Sequence, residues 1–414
     1  MRKQVLLLAA VSGMALGGTA HAKAGDPVTI GEGVTLDPII EGVLRYEAVD
    51  QDEIGLDADA VTLGMVAGAE LKTGGLSFLA EAEATLAIVD DYNDTIAGNN
   101  GYFGAEPYSV VADPETVELN RLQVGYAGKF GSLTLGRQRI VLGISRFVGN
   151  VGWRQNEQTF DALRGIVNVG PVKVDATYSI SQRTIFGADA GLRTALDGDH
   201  VFVNAGVDLR GVAVTGFAYL LDYDAGEPLS IGMSSQTYGA IASGKIPLGT
   251  PVALTFVASY AKQSDYKGNT IDYSADYING ELGATVAGVN LLAGYEKLGS
   301  DDGVRGISTP MATLHKFNGF ADLFLATPNA GLEDYYATVG YAFKGVKALP
   351  GLNASVTYHK FESDVGGLDY GEEWDATLGF KLKGYGVTVK YADYDAEDFG
   401  TSTKKLWMQV SFAY

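Results

Sequence analysis

The sequence predicts an all-β fold, a single transmembrane, antiparallel, up-and-down β-barrel of about eighteen strands. Three observations predict it. First, apolar residues alternate with small or polar ones through most of the chain. In 406–414, Leu406, Met408, Val410, Phe412 and Tyr414 fall on one side, and Trp407, Gln409, Ser411 and Ala413 on the other. Period-two alternation places each set on one face of a strand. Repeated in blocks of roughly ten residues, it describes a ring that is apolar outside and polar inside. Second, beyond residue 22 no apolar run reaches the roughly 18 residues a membrane-spanning helix needs. Third, short turn-rich connections alternate with long polar ones, the usual asymmetry of such barrels.

Taken in order, the chain opens with an expected secretory signal, residues 1–22. Arg2 and Lys3 supply its positive start, Val5 to Leu16 its apolar middle, and Ala20-His21-Ala22 a small-residue cleavage site. The remainder, 23–414, is expected to be one barrel domain. Its strands are expected near 36–46, 58–72, 76–90, 116–129, 133–140, 159–169, 172–181, 200–210, 212–223, 235–244, 252–263, 272–286, 289–298, 332–343, 352–362, 372–382, 387–394 and 404–414. The count becomes sixteen if a strand pair around 235–244 or around 272–286 is misread. Thr73-Gly74-Gly75, Gly170-Pro171, Ala287-Gly288 and Gly384-Tyr385-Gly386 mark tight turns. Long extracellular loops are expected at 92–115, 141–158, 182–199 and 299–331, the last exceeding ordinary loop length and expected to fold inward or over the mouth. A soluble β-sandwich is the rival, but its outward positions would be charged rather than Val, Leu, Phe and Tyr.

Several strands sort cleanly. Val172, Val174, Ala176, Tyr178 and Ile180 would face lipid, and Lys173, Asp175, Thr177 and Ser179 the lumen. Tyrosines at strand ends, Tyr46, Tyr92, Tyr126, Tyr223, Tyr260, Tyr295, Tyr358 and Tyr394, suit an interfacial girdle. The chain has no cysteine, so its stability is assigned to the hydrogen-bonded ring. Removing Arg2 and Lys3 from 30 basic residues leaves 28 against 50 acidic, a net charge of −22. That excludes duplex nucleic acid as a partner, since phosphate neutralisation needs a basic surface.

Arginine is unevenly placed. Of the 11 outside the signal, nine lie between residues 121 and 210. Alternation turns Arg45, Arg121 and Arg164 inward. Arg137 and Arg139 share parity with Leu133 and Leu135, so either a bulge near Gly136 reverses the face, the favoured reading, or those leucines line the pore. Glu41, Glu70, Glu81 and Glu83 point inward from the first three strands. An arginine wall facing this acidic wall would set a transverse field, and rings of charge give selectivity. Guanidinium forks bind carboxylates with both arms. The bland alternative is that these charges merely neutralise one another. Enzymatic readings fare poorly: only His200, His315 and His359 remain beyond the signal, with neither metal-ligand spacing nor a nucleophile triad. No cofactor is expected.

Two stretches carry a resemblance. Gly136-Arg137-Gln138-Arg139 leads into Arg146 to Asp161 (RFVGNVGWRQNEQTFD), and His315 to Asp322 (HKFNGFAD) is followed by Gly331 to Tyr336 (GLEDYY). They resemble the alginate-export (alginate porin) family of outer-membrane barrels. The resemblance implies an eighteen-stranded monomer with an arginine-rich pore for an anionic polyuronate. It puts Arg137, Arg139 and Arg154, with Arg121 and Arg164, in the role of pore cations. Trp153 and Phe160 would fix the inward loop, while Asn156 and Asp161 would hold the arginines. The expected function is passive diffusion of small hydrophilic or anionic solutes, acidic saccharides among them, across a Gram-negative outer membrane. Lipid, lipopolysaccharide and the barrel-assembly machinery would be the partners. The alternative is a structural or adhesion barrel with an occluded lumen.

Overall fold

The computed structural model describes residues 26–97, 106–226, 230–249 and 252–414. The expected signal lies outside them, as does the middle of the loop expected at 92–115. The antiparallel strands run in chain order: β2 (Val34–Gln51), β3 (Ala58–Thr73), β4 (Leu76–Asp91), β5 (Thr116–Gly128), β6 (Gly131–Gln138) and β7 (Thr159–Val169) come first. They continue as β8 (Val172–Arg183), β9 (Ala195–Leu209), β10 (Val212–Tyr223), β11 (Ser235–Pro247), β12 (Val252–Asp265), β13 (Ser274–Val286) and β14 (Val289–Leu298). The ring is completed by β17 (Leu332–Ala342), β18 (Asn353–Glu362), β19 (Asp369–Leu382), β20 (Tyr385–Ala396) and β21 (Thr403–Ala413). The last strand pairs with the first, from Glu41 opposite Ala413 to Gln51 opposite Thr403. A short β1 (Val28–Gly31) folds back on the start of β2. A small hairpin, β15 (Ser300–Asp301) with β16 (Arg305–Gly306), sits in the longest loop.

Among the described residues, eighteen strands therefore close the ring. They are the eighteen the alternation predicts, and the two segments on which a count of sixteen depended are β11 and β13. Strand ends differ most at the long-loop end. There β8 runs to Arg183 and β9 begins at Ala195, so the loop expected at 182–199 shrinks to 184–194. Backbone pairing continues there after the side-chain alternation has faded, because strands above an apolar band need not be apolar on either face. At the opposite end the turns are tight. Arg210-Gly211 and Lys383-Gly384 both hold two consecutive residues at positive φ, the twist that two-residue hairpins require.

The two faces differ as alternation demands. Leu133, Leu135, Val169, Ile180, Leu282 and Val339 stand exposed on the outside, a band that suits hydrocarbon. Thr177, Ser179, Asn204, Ser259, Gln263 and Asn279 are buried on the inside. Among the described residues each of the eighteen ring strands is paired on both sides, so the ring leaves no strand edge bare, which is what hydrocarbon tolerates. The tyrosine girdle is only partly realised. Tyr126 and Tyr260 are exposed on the outer face, but Tyr92, Tyr223 and Tyr394 are buried inside. Position at a strand end does not decide the face; parity does.

The bulge expected near Gly136 is absent. The registers of β6 with β5 and β7 run unbroken through it. The extra residue lies one strand away, where Asn120 of β5 is skipped between Leu119 and Arg121. Arg137, opposite Leu122 and in the row of Leu133 and Leu135, therefore stays on the outer face. It forms a two-armed pair with Asp161 (2.8 and 2.9 Å) and donates to the Leu119 carbonyl (3.1 Å). Arg137 and Asp161 are thus removed from the expected pore set. They form a neutralised outer pair next to the end of β6.

Candidate functional site

The bore is narrowed by two segments that turn inward at the long-loop end. The first, 139–158, crosses the lumen and returns. On its way out, Phe147 packs on Phe217, Tyr219 and Tyr277, with ring centres 5.6, 6.1 and 5.2 Å apart. Arg146 reaches Glu296 of β14 at 2.7 Å. On its return it is stitched strand by strand to the opposite wall. The Gln155 amide donates to Thr62 Oγ1 (2.7 Å), the Thr85 hydroxyl donates to Asn156 Oδ1 (2.7 Å), and Asn120 donates to Glu157 (2.7 Å). Gly64 makes room for this: a Cβ there would meet Gln155 Oε1 at 2.2 Å.

The second segment lies within 299–331 and meets the first inside the barrel. Gly149 N–H donates to the Met311 carbonyl (2.8 Å), and Thr313 N–H to that of Ser145 (3.0 Å). Its far half is held by carboxylates on β14, β17 and β19. Asn318 donates to Glu296 (2.9 Å) and Asp334 (3.2 Å), Phe320 N–H to Asp375 (3.2 Å), and Ala321 N–H to Glu373 (2.8 Å). The aromatic and aliphatic side chains between the loops and the wall are buried. Part of the lumen is consequently a dry core, not open water.

A charged and aromatic knot fastens the two segments together. Arg154 faces Glu47 (3.1 Å), Asp322 (3.4 Å) and Asp113 (3.6 Å), all nearly inaccessible. Burial works against the Arg154 charge, but these carboxylates outweigh it and hold the guanidinium above its ordinary range. His315 stacks on Trp153 (4.7 Å) and Phe320 (5.2 Å). Its Nε2 lies 2.7 Å from Lys390 Nζ, and its Nδ1 2.9 Å from Asp322. A lysine ammonium can only donate, so Nε2 accepts and Nδ1 carries the proton to Asp322. Burial lowers the His315 pKa to about 3. The Lys390 ammonium also sits over Phe320 (3.3 Å) and Trp153 (4.1 Å). Removing one partner of so buried a cluster leaves an uncompensated charge, a cost of about 3–5 kcal/mol.

The sequence-predicted residues therefore divide. Arg45 is buried, bonded to Asp113 (3.3 Å), the Gln409 side chain (2.8 Å) and the Trp153 carbonyl (2.5 Å). Arg154 likewise belongs to the knot. Arg164 pairs with Asp175 of the next strand (2.6 Å). Arg121 pairs with Glu81 and Arg139 with Glu157 (2.5 Å); like Arg164 (19%), these guanidiniums stay partly exposed, at 16% and 32%. Asn156 holds Thr85 and the Ile185 carbonyl, not an arginine. The acids do not oppose the arginines. Glu81 of β4 bonds Arg121 of adjacent β5; Glu83 is buried and accepts the Glu157 N–H (3.2 Å); Glu70 pairs with Lys72 (2.8 Å); and Glu41 is exposed. The acids half a circumference away from β4, β5 and β6 are Glu281, Glu296 and Asp334 on β13, β14 and β17. Sequence reasoning missed Lys390, Lys405, which faces Asp322 (3.8 Å), Trp407, which lies edge-on to Trp153 (6.1 Å) and His315 (5.4 Å), and Asp113. The first three lie on inward rows by alternation, and an inward tryptophan among polar residues was the available signal.

No family model and no curated protein matches the sequence, so the likeness to the alginate-export family finds no support. Solved structures do match. OccK9 (OpdG) of Pseudomonas aeruginosa superposes with a TM-score of 0.70 at 14% identity, covering 91% of this chain and 97% of that one. The outer membrane protein OpdK of the same organism gives 0.69 at 16%, covering 91% and 98%. OccAB3 of Acinetobacter baumannii gives 0.65 at 16%, covering 91% and 100%. At these identities what is shared is the fold, a closed eighteen-stranded antiparallel barrel.

Proposed function

We propose that this chain is an outer-membrane channel through which small hydrophilic solutes diffuse across the envelope of a Gram-negative cell. One observation carries the reading: a hydrogen-bonded ring without an edge, apolar on its outer row and polar on its inner row. The likeness of nine-tenths of the chain to barrels that include a named outer membrane protein supports it. The long-loop end is then extracellular and the tight-turn end periplasmic.

The solute class follows from how the charges are spent. Arg45, Arg146 and Arg154 are themselves buried among carboxylates, so they fix the loops and leave the partly exposed Arg121, Arg139 and Arg164 to meet a solute. With Glu41 exposed and Glu281 across the bore, the lining is mixed in sign. Small polar or singly charged molecules suit it better than a polyuronate, which would meet acidic walls along its length. The interlocked loops favour a second reading, a structural barrel with a blocked bore. Recording single-channel current from the folded protein in a planar bilayer separates the two. Steady current, with anion preference reduced by Arg139→Gln, is expected. Folded protein that passes no current would establish the blocked barrel.

A further inference from the structure

On the outer face, β6, β7 and β8 leave a hollow. A groove of about 500 Å³ is lined by Tyr126, Phe130, Leu133, Gly165 and Val167. It continues past Leu163, Ala176 and Tyr178 as a second hollow of about 370 Å³. Gly165 opens it: a Cβ there would meet one atom within 4 Å, Leu133 Cδ1 at 3.7 Å. At the periplasmic mouth of the groove the turn between β5 and β6 presents an exposed Lys129, whose ammonium sits 4.6 Å over the Phe130 ring.

Lys129 belongs to a pattern. Among the described residues, the connections at the periplasmic end carry Lys129, Arg210, Lys344, Lys347 and Lys383, all exposed, against a single acid, Glu32. The loops at the other end carry Asp52, Glu53, Asp57, Asp94, Asp189, Asp301, Asp302 and Asp398. A protein of strong net negative charge thus concentrates cations where its wall meets the inner leaflet.

We propose that the turn Gly128–Gly131 and the groove above it bind an anionic diacyl phospholipid of the inner leaflet, its phosphate on Lys129 and an acyl chain along Phe130, Leu133, Gly165 and Ala176. The site rests on the membrane placement, though not on conduction, so a barrel that passes no current still tests it. Charge selects the headgroup. The groove, lined mainly by apolar side chains with the Tyr126, Ser132 and Thr177 hydroxyls among them, selects the chain. A second copy in the same orientation would bring its own cationic turns to the same level, which disfavours it as occupant.

The test is native mass spectrometry of the full chain in detergent with equal amounts of dioleoylphosphatidylglycerol and dioleoylphosphatidylcholine. The wild-type protein should retain the glycerol lipid about fivefold more than the choline lipid. Lys129→Gln should remove that preference, and Gly165→Leu should lower retention of both. Val167→Phe fills the same groove should Gly165→Leu fail to fold. Equal retention of the two lipids by the wild type overturns the proposal. So does a preference that survives Lys129→Gln together with a groove-filling variant, or a dimer that neither lipid displaces.

Discussion

At the scale of single residues, the interior depends on side chains whose charge state is set by burial. His315 is neutral in the folded knot, with a pKa of about 3. Detached from the knot it would return to about 6.5. The detached form therefore takes up a proton first as the pH falls, so the attachment is complete above pH 6.5 and is lost progressively down to about pH 3. At pH 5 the loss amounts to about 2 kcal/mol. The groups facing His315 reinforce the direction: Lys390 at 2.7 Å would stand against a second cation, with Arg154 nearby. Asp322, depressed by His315, Lys405 and Arg154 despite its burial, loses its own contribution only at lower pH. Open-channel noise should therefore rise as the pH drops from 7 to 4. It should rise less in His315→Gln, which keeps an acceptor for Lys390 and a donor for Asp322 without titrating. Identical pH profiles for the two proteins would show that His315 does not hold the loop.

At the scale of elements, the strands were legible and the loops were not. Alternation specifies β8 and β21 residue by residue, because a one-residue slip exchanges every lipid-facing and lumen-facing side chain. It also put Arg137 in the row of Leu133 and Leu135, where it lies; the bulge favoured near Gly136 misplaced it, because a local bulge and a continued row look alike in sequence. Alternation could also not say that Val148 and Met311 meet, since contacts between two loops across a bore leave no periodicity. What the long segment does can be tested cleanly. Leu298 of β14 and Leu332 of β17 are registered partners, so their ends already stand side by side. Replacing 299–331 by a two-residue Asn-Gly turn closes the hairpin without moving the wall. The shortened barrel should fold and conduct severalfold more current than the wild type. Unchanged conductance in a folded variant would place the segment outside the permeation path, contrary to its hydrogen bonds with 139–158.

At the scale of the whole molecule, charge is distributed along the axis as well as around the ring. Lys72, Lys173, Lys245 and Lys381 lie on inward rows near the tight-turn end and are exposed, with Asp37, Glu70 and Asp208 on the same rows. The long-loop mouth, by contrast, is framed by the acidic loops. A bore with an acidic entrance and a lysine-bearing exit enriches cations at one end and anions at the other, so its current should depend on the sign of the voltage. The effect is carried by exposed charges, and its reach is the screening length: about 10 Å at 0.1 M salt and about 3 Å at 1 M. Single channels, each in one orientation, should therefore rectify in 0.1 M potassium chloride and become nearly ohmic in 1 M. Neutralising Lys173, Lys245 and Lys381 together by glutamine should weaken the rectification at low salt while leaving conductance at high salt almost unchanged. A symmetric current–voltage curve at 0.1 M would mean that the narrow passage between the two loops, not the charge of the mouths, controls what enters.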